Sequence, residues 1–193
     1  MMAKKKQKSS LINIFIVCLV ALIIFLSGKI IYDAALEYMY PRKYSEYVEK
    51  YAEEYGISEI LLYAVINTES GFDKNAVSSA NARGLTQITE DTFDWLVMKT
   101  GENYTFADLF EPEISIKYGA YFLSLLQKEY SITETVAAAY HAGMGNVSSW
   151  LGNPEYSDDG QHLKEIPISD TAHYVDKIIN AMEKYNSIYY TEE

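Results

Sequence analysis

The chain has 193 residues, nearly half of them hydrophobic, which is enough for one well-buried domain and too little for two ordinary ones. Its 16 basic and 27 acidic side chains are unevenly spread. Lys4, Lys5, Lys6, Lys8 and Lys29 all precede the first acid, Asp33, so residues 33–193 carry a formal charge of 11 − 27 = −16. Such a surface repels nucleic acid and anionic membrane, and nucleic acid is excluded as a partner.

The first expected element is apolar. Residues 11–32 run almost without interruption from Leu11 to Tyr32, about 22 residues, enough for a helix to cross a hydrocarbon core of roughly 30 Å with Lys29 snorkelling toward the far interface. A cleaved signal peptide would have a shorter apolar core and a small-x-small site after it, whereas Lys29-Ile30-Ile31-Tyr32-Asp33 follows here, so residues 11–32 are read as an uncleaved anchor. The lysines of residues 1–10 place that basic tail on the cytoplasmic side and everything after the anchor outside. Cys18, the only cysteine, lies within the apolar stretch, so the exported part is stabilised without disulfides. Residues 33–42 are read as a short stalk.

From there to residue 188 the periodicity is helical, which predicts a mainly α domain over 43–188. Tyr44, Tyr47, Val48, Tyr51 and Tyr55 share a face of a helix that stops at Gly56, and Ser58 is placed to cap the next. In that helix Leu62, Val65, Ile66 and Glu69 follow i, i+3, i+4, i+7 spacing, and Gly71 is placed to close it, so Glu69 ends an apolar stripe. Residues 70–88 are small and polar and read as a loop folded against that helix end. A helix near Asp91 follows, then one starting at Pro112 with Ile114, Tyr118, Tyr121, Phe122 and Leu125 on one face. An alanine-rich helix from Thr133 to His141 ends at Gly143-Met144-Gly145, residues 151–167 form a surface loop, and Asp170 is placed to cap a last helix bearing Tyr174, Val175, Ile178, Ile179 and Met182.

Glu69 is the first candidate for chemistry. A carboxyl on the apolar edge of a helix is desolvated, which raises its pKa and keeps it protonated long enough to protonate a leaving oxygen. The competing reading is a solvated residue at a frayed helix end, and the segment alone leaves both open.

Four ordered motifs break the tie: Glu69-Ser70-Gly71-Phe72; Ser78 with Gly84-Leu85-Thr86-Gln87; Ala139-Tyr140-His141-Ala142-Gly143-Met144-Gly145-Asn146-Val147; and Pro167-Ile168-Ser169-Asp170-Thr171-Ala172-His173-Tyr174-Val175. In order and spacing the chain resembles the catalytic domain of the lytic transglycosylases, in the superfamily of goose-type lysozymes, from roughly Tyr44 to Tyr185. The resemblance implies a lysozyme-like fold and cleavage of the β-1,4 bond between N-acetylmuramic acid and N-acetylglucosamine in peptidoglycan glycan strands. It implies that Glu69 acts first as acid and then as base while the muramic C6 hydroxyl closes on C1 to leave a 1,6-anhydro sugar. One carboxylate then suffices, since the nucleophile belongs to the substrate, unlike ordinary glycosidases. The resemblance puts Ser78 and Gln87 at substrate-contacting or acid-positioning loop positions, and Tyr140 and Tyr174 at aromatic positions of the cleft.

The chain departs from the family pattern at Thr86 (usually methionine), Glu90 (proline), Asn81 (glycine), His141 (asparagine) and Asp170 (glutamate). Most read as peripheral. His141 is the exception, because a charge there would depress the pKa of Glu69. No metal-ligand spacing or phosphate-binding glycine loop is present, and no cofactor is expected. The membrane is the partner of the N-terminal helix, and any partner in cell-wall or secretion machinery is unknown. A hydrolytic muramidase on the same fold, and a non-catalytic peptidoglycan-binding or assembly protein, are the competing functions.

Overall fold

The computed structural model describes residues 2–190, with side chains at residue 16 and from residue 18 onward. The side chains of the expected basic tail and of the first five residues of the expected anchor lie outside this range. The chain divides into two units, Met1–Pro41 and Arg42–Glu193.

The first unit is one helix, α1, spanning Met2–Met39. It continues without a break through residues 33–39, most of the expected stalk at 33–42. Cys18–Met39 is long and apolar enough to cross a membrane, and its side chains from Leu19 through Ile31 are exposed.

The second unit is helical, and among the described residues its only β pairing is two isolated bridges, Val77 with Arg83 and Arg83 with Ile88. Helices α2 (Ser45–Tyr55), α3 (Glu59–Ser70), α4 (Glu90–Thr100), α5 (Pro112–Glu129), α6 (Thr133–Ala142), α7 (Met144–Leu151) and α8 (Ser169–Tyr185) are joined by a 3₁₀ turn at Phe106–Phe110 and closed by a π-helical turn at Asn186–Tyr190. The expected caps around α3 are present: the Ser58 hydroxyl accepts from Leu61 N, and Gly71 takes a left-handed conformation as its N–H bonds Asn67 O.

α5 is the central element, packed against α2, α3, α4, α6 and the 3₁₀ turn, while α8 packs across α3 and α6. Its burial differs from the expected single face. Ile116, Tyr118, Gly119, Ala120, Phe122, Leu123 and Leu126 are buried around most of the circumference, whereas Ile114, Tyr121 and Leu125 are half-buried. A helix enclosed on most sides has no one apolar stripe for periodicity to locate. Two further differences concern the C-terminal half. α7 forms directly after Gly143, over residues to which the sequence pattern assigned no element, and buries Val147 and Trp150. Asp170 sits in the first turn of α8, behind Ile168 at the cap position, and makes no capping bond; a carboxylate there is still favoured by the helix dipole.

At the start of this unit, the Arg42 guanidinium lies over the rings of Tyr63, Tyr189 and Tyr190 at 5.4–5.6 Å and pairs with Glu49 at 3.1 Å. That contact joins the first residue of the domain to its C-terminal turn.

Candidate active site

Glu69 occupies the last turn of α3, one residue before a loop that folds back over the helix end. The loop is fixed at both ends by polar groups that the core leaves no water to satisfy. The Ser70 hydroxyl donates to Leu85 O at 2.9 Å and Ile66 O at 3.1 Å while receiving Phe72 N. Gly84 has φ +75°, and a Cβ there would stand 2.0 Å from Leu109 O, so both its dihedral and its close approach to the 3₁₀ turn require glycine. Three non-glycine residues of the loop, Phe72, Asn81 and Gln87, also have positive φ, a strain that persists where the surroundings over-determine the backbone.

The centre of this arrangement is Thr86. It is fully buried, its hydroxyl bonds Ser115 O at 2.9 Å, its N–H bonds the Ser115 hydroxyl at 3.2 Å, and its carbonyl accepts the Tyr140 hydroxyl at 2.6 Å. The departure at 86 is therefore not peripheral, as the sequence suggested. A polar side chain at this depth is retained because Ser115 and Gly119 match it: a Cβ on Gly119 would come within 2.4 Å of the Thr86 methyl group.

Glu69 lies beside Tyr140 and Tyr174, and its charge raises the pKa of both phenols, which their own burial already pushes up. Burial raises the Glu69 carboxyl to about 7, opposed by the Tyr174 hydroxyl, which favours the ionised form. That hydroxyl is buried and meets no acceptor at full hydrogen-bond geometry, so it is a donor directed at the carboxyl without yet being bound to it. Tyr140 packs on Phe122 at 5.0 Å and Tyr174 lies under the imidazole of His141 at 4.6 Å, nearly parallel.

His141 is not among the groups that shift the Glu69 pKa. Its Nδ1 bonds the Thr171 hydroxyl at 3.0 Å, and partial burial lowers its pKa against the opposing charge of Asp170, which keeps the ring neutral near pH 7. The groups that set the Glu69 pKa are its own burial and Tyr174.

A cavity of about 220 Å³ opens beside these residues, lined by Gln87, Thr89, Thr92, Phe122, Tyr140 and His141 among others. Gln87, Tyr140 and His141 thus share one wall system. The Gln87 amide donates both hydrogens to the loop, to Ala76 O at 3.0 Å and Gly84 O at 2.8 Å, leaving its oxygen as the group it can offer a ligand. Tyr174, 7% exposed and covered by His141, supports the site from below rather than presenting a face for stacking. Ser78 is exposed, holds the loop turn by accepting Ala82 N at 3.1 Å, and is not part of the cavity lining. Thr92 and Phe122 also line the cavity; Phe122 reads in sequence as part of the apolar face of α5, and nothing local to Thr92 sets it apart from the rest of its helix. Among the described residues no cluster of His, Cys, Asp and Glu is able to hold a metal ion.

The sequence matches the Transglycosylase SLT domain over residues 46–163. It is 31% identical over 170 residues to membrane-bound lytic murein transglycosylase C of Serratia proteamaculans, covering 74% of this chain and 46% of that protein. It is 30% identical over 152 residues to the soluble lytic murein transglycosylase of Salmonella typhimurium, covering 75% of this chain and 23% of that one. The chain thus spans less than half the length of these relatives. Among solved structures, the 70 kDa soluble lytic transglycosylase of Escherichia coli superposes with a TM-score of 0.72 at 26% identity, over 79% of this chain and 25% of that one. An inactive glutamate-to-glutamine mutant of lytic transglycosylase Slt from Pseudomonas aeruginosa superposes at 0.68, also at 26% identity, over 77% and 24%. With the family match covering most of the helical domain, and the fold agreeing with it, the chain belongs to the transglycosylase SLT domain family.

Proposed function

We propose that this chain is a membrane-anchored peptidoglycan lytic transglycosylase with Glu69 as its single acid–base group. The observation that carries the reading is the environment of that carboxyl: desolvated, held near pKa 7, flanked by two buried phenols, one of which, Tyr140, also lines the cavity with Gln87 and His141.

The chemistry follows from that protonation state. Protonated Glu69 gives its proton to the bridging oxygen as the C1–O bond breaks, and positive charge develops at C1, supported by the substrate's own N-acetyl carbonyl. The carboxylate left behind takes the proton of the muramic C6 hydroxyl as that oxygen bonds C1. The acid is regenerated and the chain ends in a 1,6-anhydro ring. An effective pKa near 7 suits both half-reactions, since the group must be a competent acid and then a competent base. The Tyr174 hydroxyl is placed to hydrogen-bond the carboxylate formed midway. The Gln87 oxygen and the free edge of His141 face the cavity as ligand contacts, and Ser78 acts through the loop.

Residues 11–32 would anchor the domain, 43–188, at the outer face of the membrane, with tail 1–10 inside, which confines action to wall close to the membrane. The named activities of the relatives support this reading. Muropeptide mass analysis of sacculi digested by the full chain tests it. Anhydro-muramic ends should form, and Glu69→Gln should abolish them while binding to sacculi persists. Reducing-end muramic acid would instead establish the hydrolytic muramidase, and undiminished lysis by the variant would remove Glu69 from the mechanism.

A further inference from the structure

The sequence holds two arginines, and both lie over aromatic rings, yet only one is neutralised. Arg42 pairs with Glu49 at 3.1 Å and with Glu59 at 3.9 Å. Arg83, in the loop that closes the end of α3, has no carboxylate within ion-pair distance among the described residues. Residues 33–193 hold 27 acids against 11 bases, so a half-buried cation to which no acid has been brought is the exception in this domain.

The Arg83 guanidinium is nonetheless fixed. It lies over Phe106 at 4.1 Å and Phe110 at 5.5 Å from the ring centroids, both in the 3₁₀ turn. Its backbone is paired on both sides, with Val77 and with Ile88. Asp108, the acid of that turn, is already engaged, since it accepts the Thr105 N–H at 2.7 Å and the Thr105 hydroxyl at 2.9 Å. Arg83 Nε is buried without an acceptor, and the side chain's one hydrogen bond is long, 3.5 Å to Asn81 Oδ1. A planar cation held on two rings with most of its donors unused suits a planar anion, and much of the entropy of ordering it is lost before a ligand arrives.

Arg83 also stands one strand from the cavity of about 220 Å³ beside Glu69. Its N–H bonds Ile88 O at 3.0 Å, and Ile88 and Gln87 line that cavity. Paired strands lie about 4.8 Å apart and an extended peptide covers about 3.3–3.6 Å per residue, so about two or three residues leading from a sugar in the cavity cover the distance.

Resting on the glycan-cleaving reading above, we propose that Arg83 is a receptor for a carboxylate of the peptide stem carried on the muramic lactyl group, so that the domain reads the stem as well as the sugar. A carboxylate matches the guanidinium fork in bidentate form. The uncharged sugar rings give an unpaired cation no counter-charge.

The test uses the full chain in detergent, silenced by Glu69→Gln, with affinity read by calorimetry for three probes: β-1,4-linked glycan oligomers bearing tetrapeptide stems, the same oligomers with the stem carboxylates amidated, and the same oligomers with the stems removed. The stem-bearing oligomer should bind about tenfold more tightly than the other two, the scale of a charge-assisted pair. Adding Arg83→Gln should remove that preference while changing affinity for the stem-free oligomer by less than about twofold. Arg83→Met, which keeps the length and the contact with the phenyl rings, should show the same selective loss and serves if the glutamine variant does not fold. Equal weakening on all three probes, no weakening, or displacement by inorganic phosphate as effective as displacement by free stem peptide overturns the receptor. Failure here is separable from failure of the activity. If the unsilenced chain leaves anhydro ends but Arg83 variants keep the preference for stems, the receptor is wrong and the activity stands. If no wall is cleaved yet the stem-selective loss appears, the activity is wrong and the receptor stands.

Discussion

Two long irregular segments, residues 71–89 and 152–168, have comparable lengths and polar compositions, and both read as loops, yet they are built in different ways. The first is tied to the core: Thr86 to Ser115, Gly84 against Leu109, the Ser70 hydroxyl to Leu85, Tyr140 to Thr86. The second is tied mainly to itself. Asp159 accepts the N–H groups of Gln161 and His162 at 2.8 Å, Asn153 holds Glu155, and Lys164 pairs with Asp158 on the surface, while buried Ser157 and the bond from Thr135 to Gln161 O attach it to the helices. A loop with buried partners can hold strained dihedrals and a desolvated acid, whereas one held by surface turns cannot, because water competes for every bond it makes.

The comparison breaks first at Gly84. Gly84→Ala should cost about 3 kcal/mol in urea unfolding, since both the dihedral and the approach to Leu109 O are violated, and should abolish wall lysis with it. A loss under about 1 kcal/mol would mean that the first loop is no more tightly held than the second.

Next is the charge the first loop encloses. Glu69 has its folded pKa raised to about 7 above an ordinary value of 4.5, so the unfolded chain gives up this proton more readily than the folded one. Its contribution should make stability fall as pH rises from 4.5 to 7 and then level off. Glu69→Gln should flatten that dependence and be about 1–3 kcal/mol more stable than the parent above pH 7. Identical pH profiles for the two proteins would show that the carboxyl is not desolvated. If the proposed chemistry holds, with Glu69 acting first as acid, activity should decline as pH rises through 7.

Thr86→Val keeps the volume and removes the hydroxyl bonded to Ser115, with an expected loss of about 1–2 kcal/mol and a lower kcat, because the carbonyl that holds Tyr140 shifts with the loop. Unchanged kcat would separate the buried pair from the site.

The smallest effect is expected in the second loop. The carboxylate of Asp159, held well below its usual pKa by the N–H groups of His162 and Gln161, is exposed, so Asp159→Ala should leave lysis unchanged and move the melting temperature only slightly. A large loss of activity would place that loop in the site.

The helices with strong local signals are legible in the sequence alone. Ser58 and Gly71 bracket α3, Pro112 opens α5, and the spacing of four motifs singles out Glu69, Ser78, Gln87, Tyr140, His141 and Tyr174 together. Local chemistry is sufficient there, since a cap or a motif is written within a few residues. Tertiary structure decided what depends on partners far apart in the chain. Thr86 reads as a peripheral departure until Ser115 and Gly119 are brought against it, and the setting of Arg83 exists only where its loop meets the 3₁₀ turn. The surroundings of His141 are decided in the same way: its neighbours, Thr171 and Tyr174, lie 30 or more residues away, and its partial burial lowers its pKa against the opposing charge of Asp170. The pKa of Glu69, the property on which the chemistry turns, is set by burial, and burial belongs to the assembled domain and to no single segment of it.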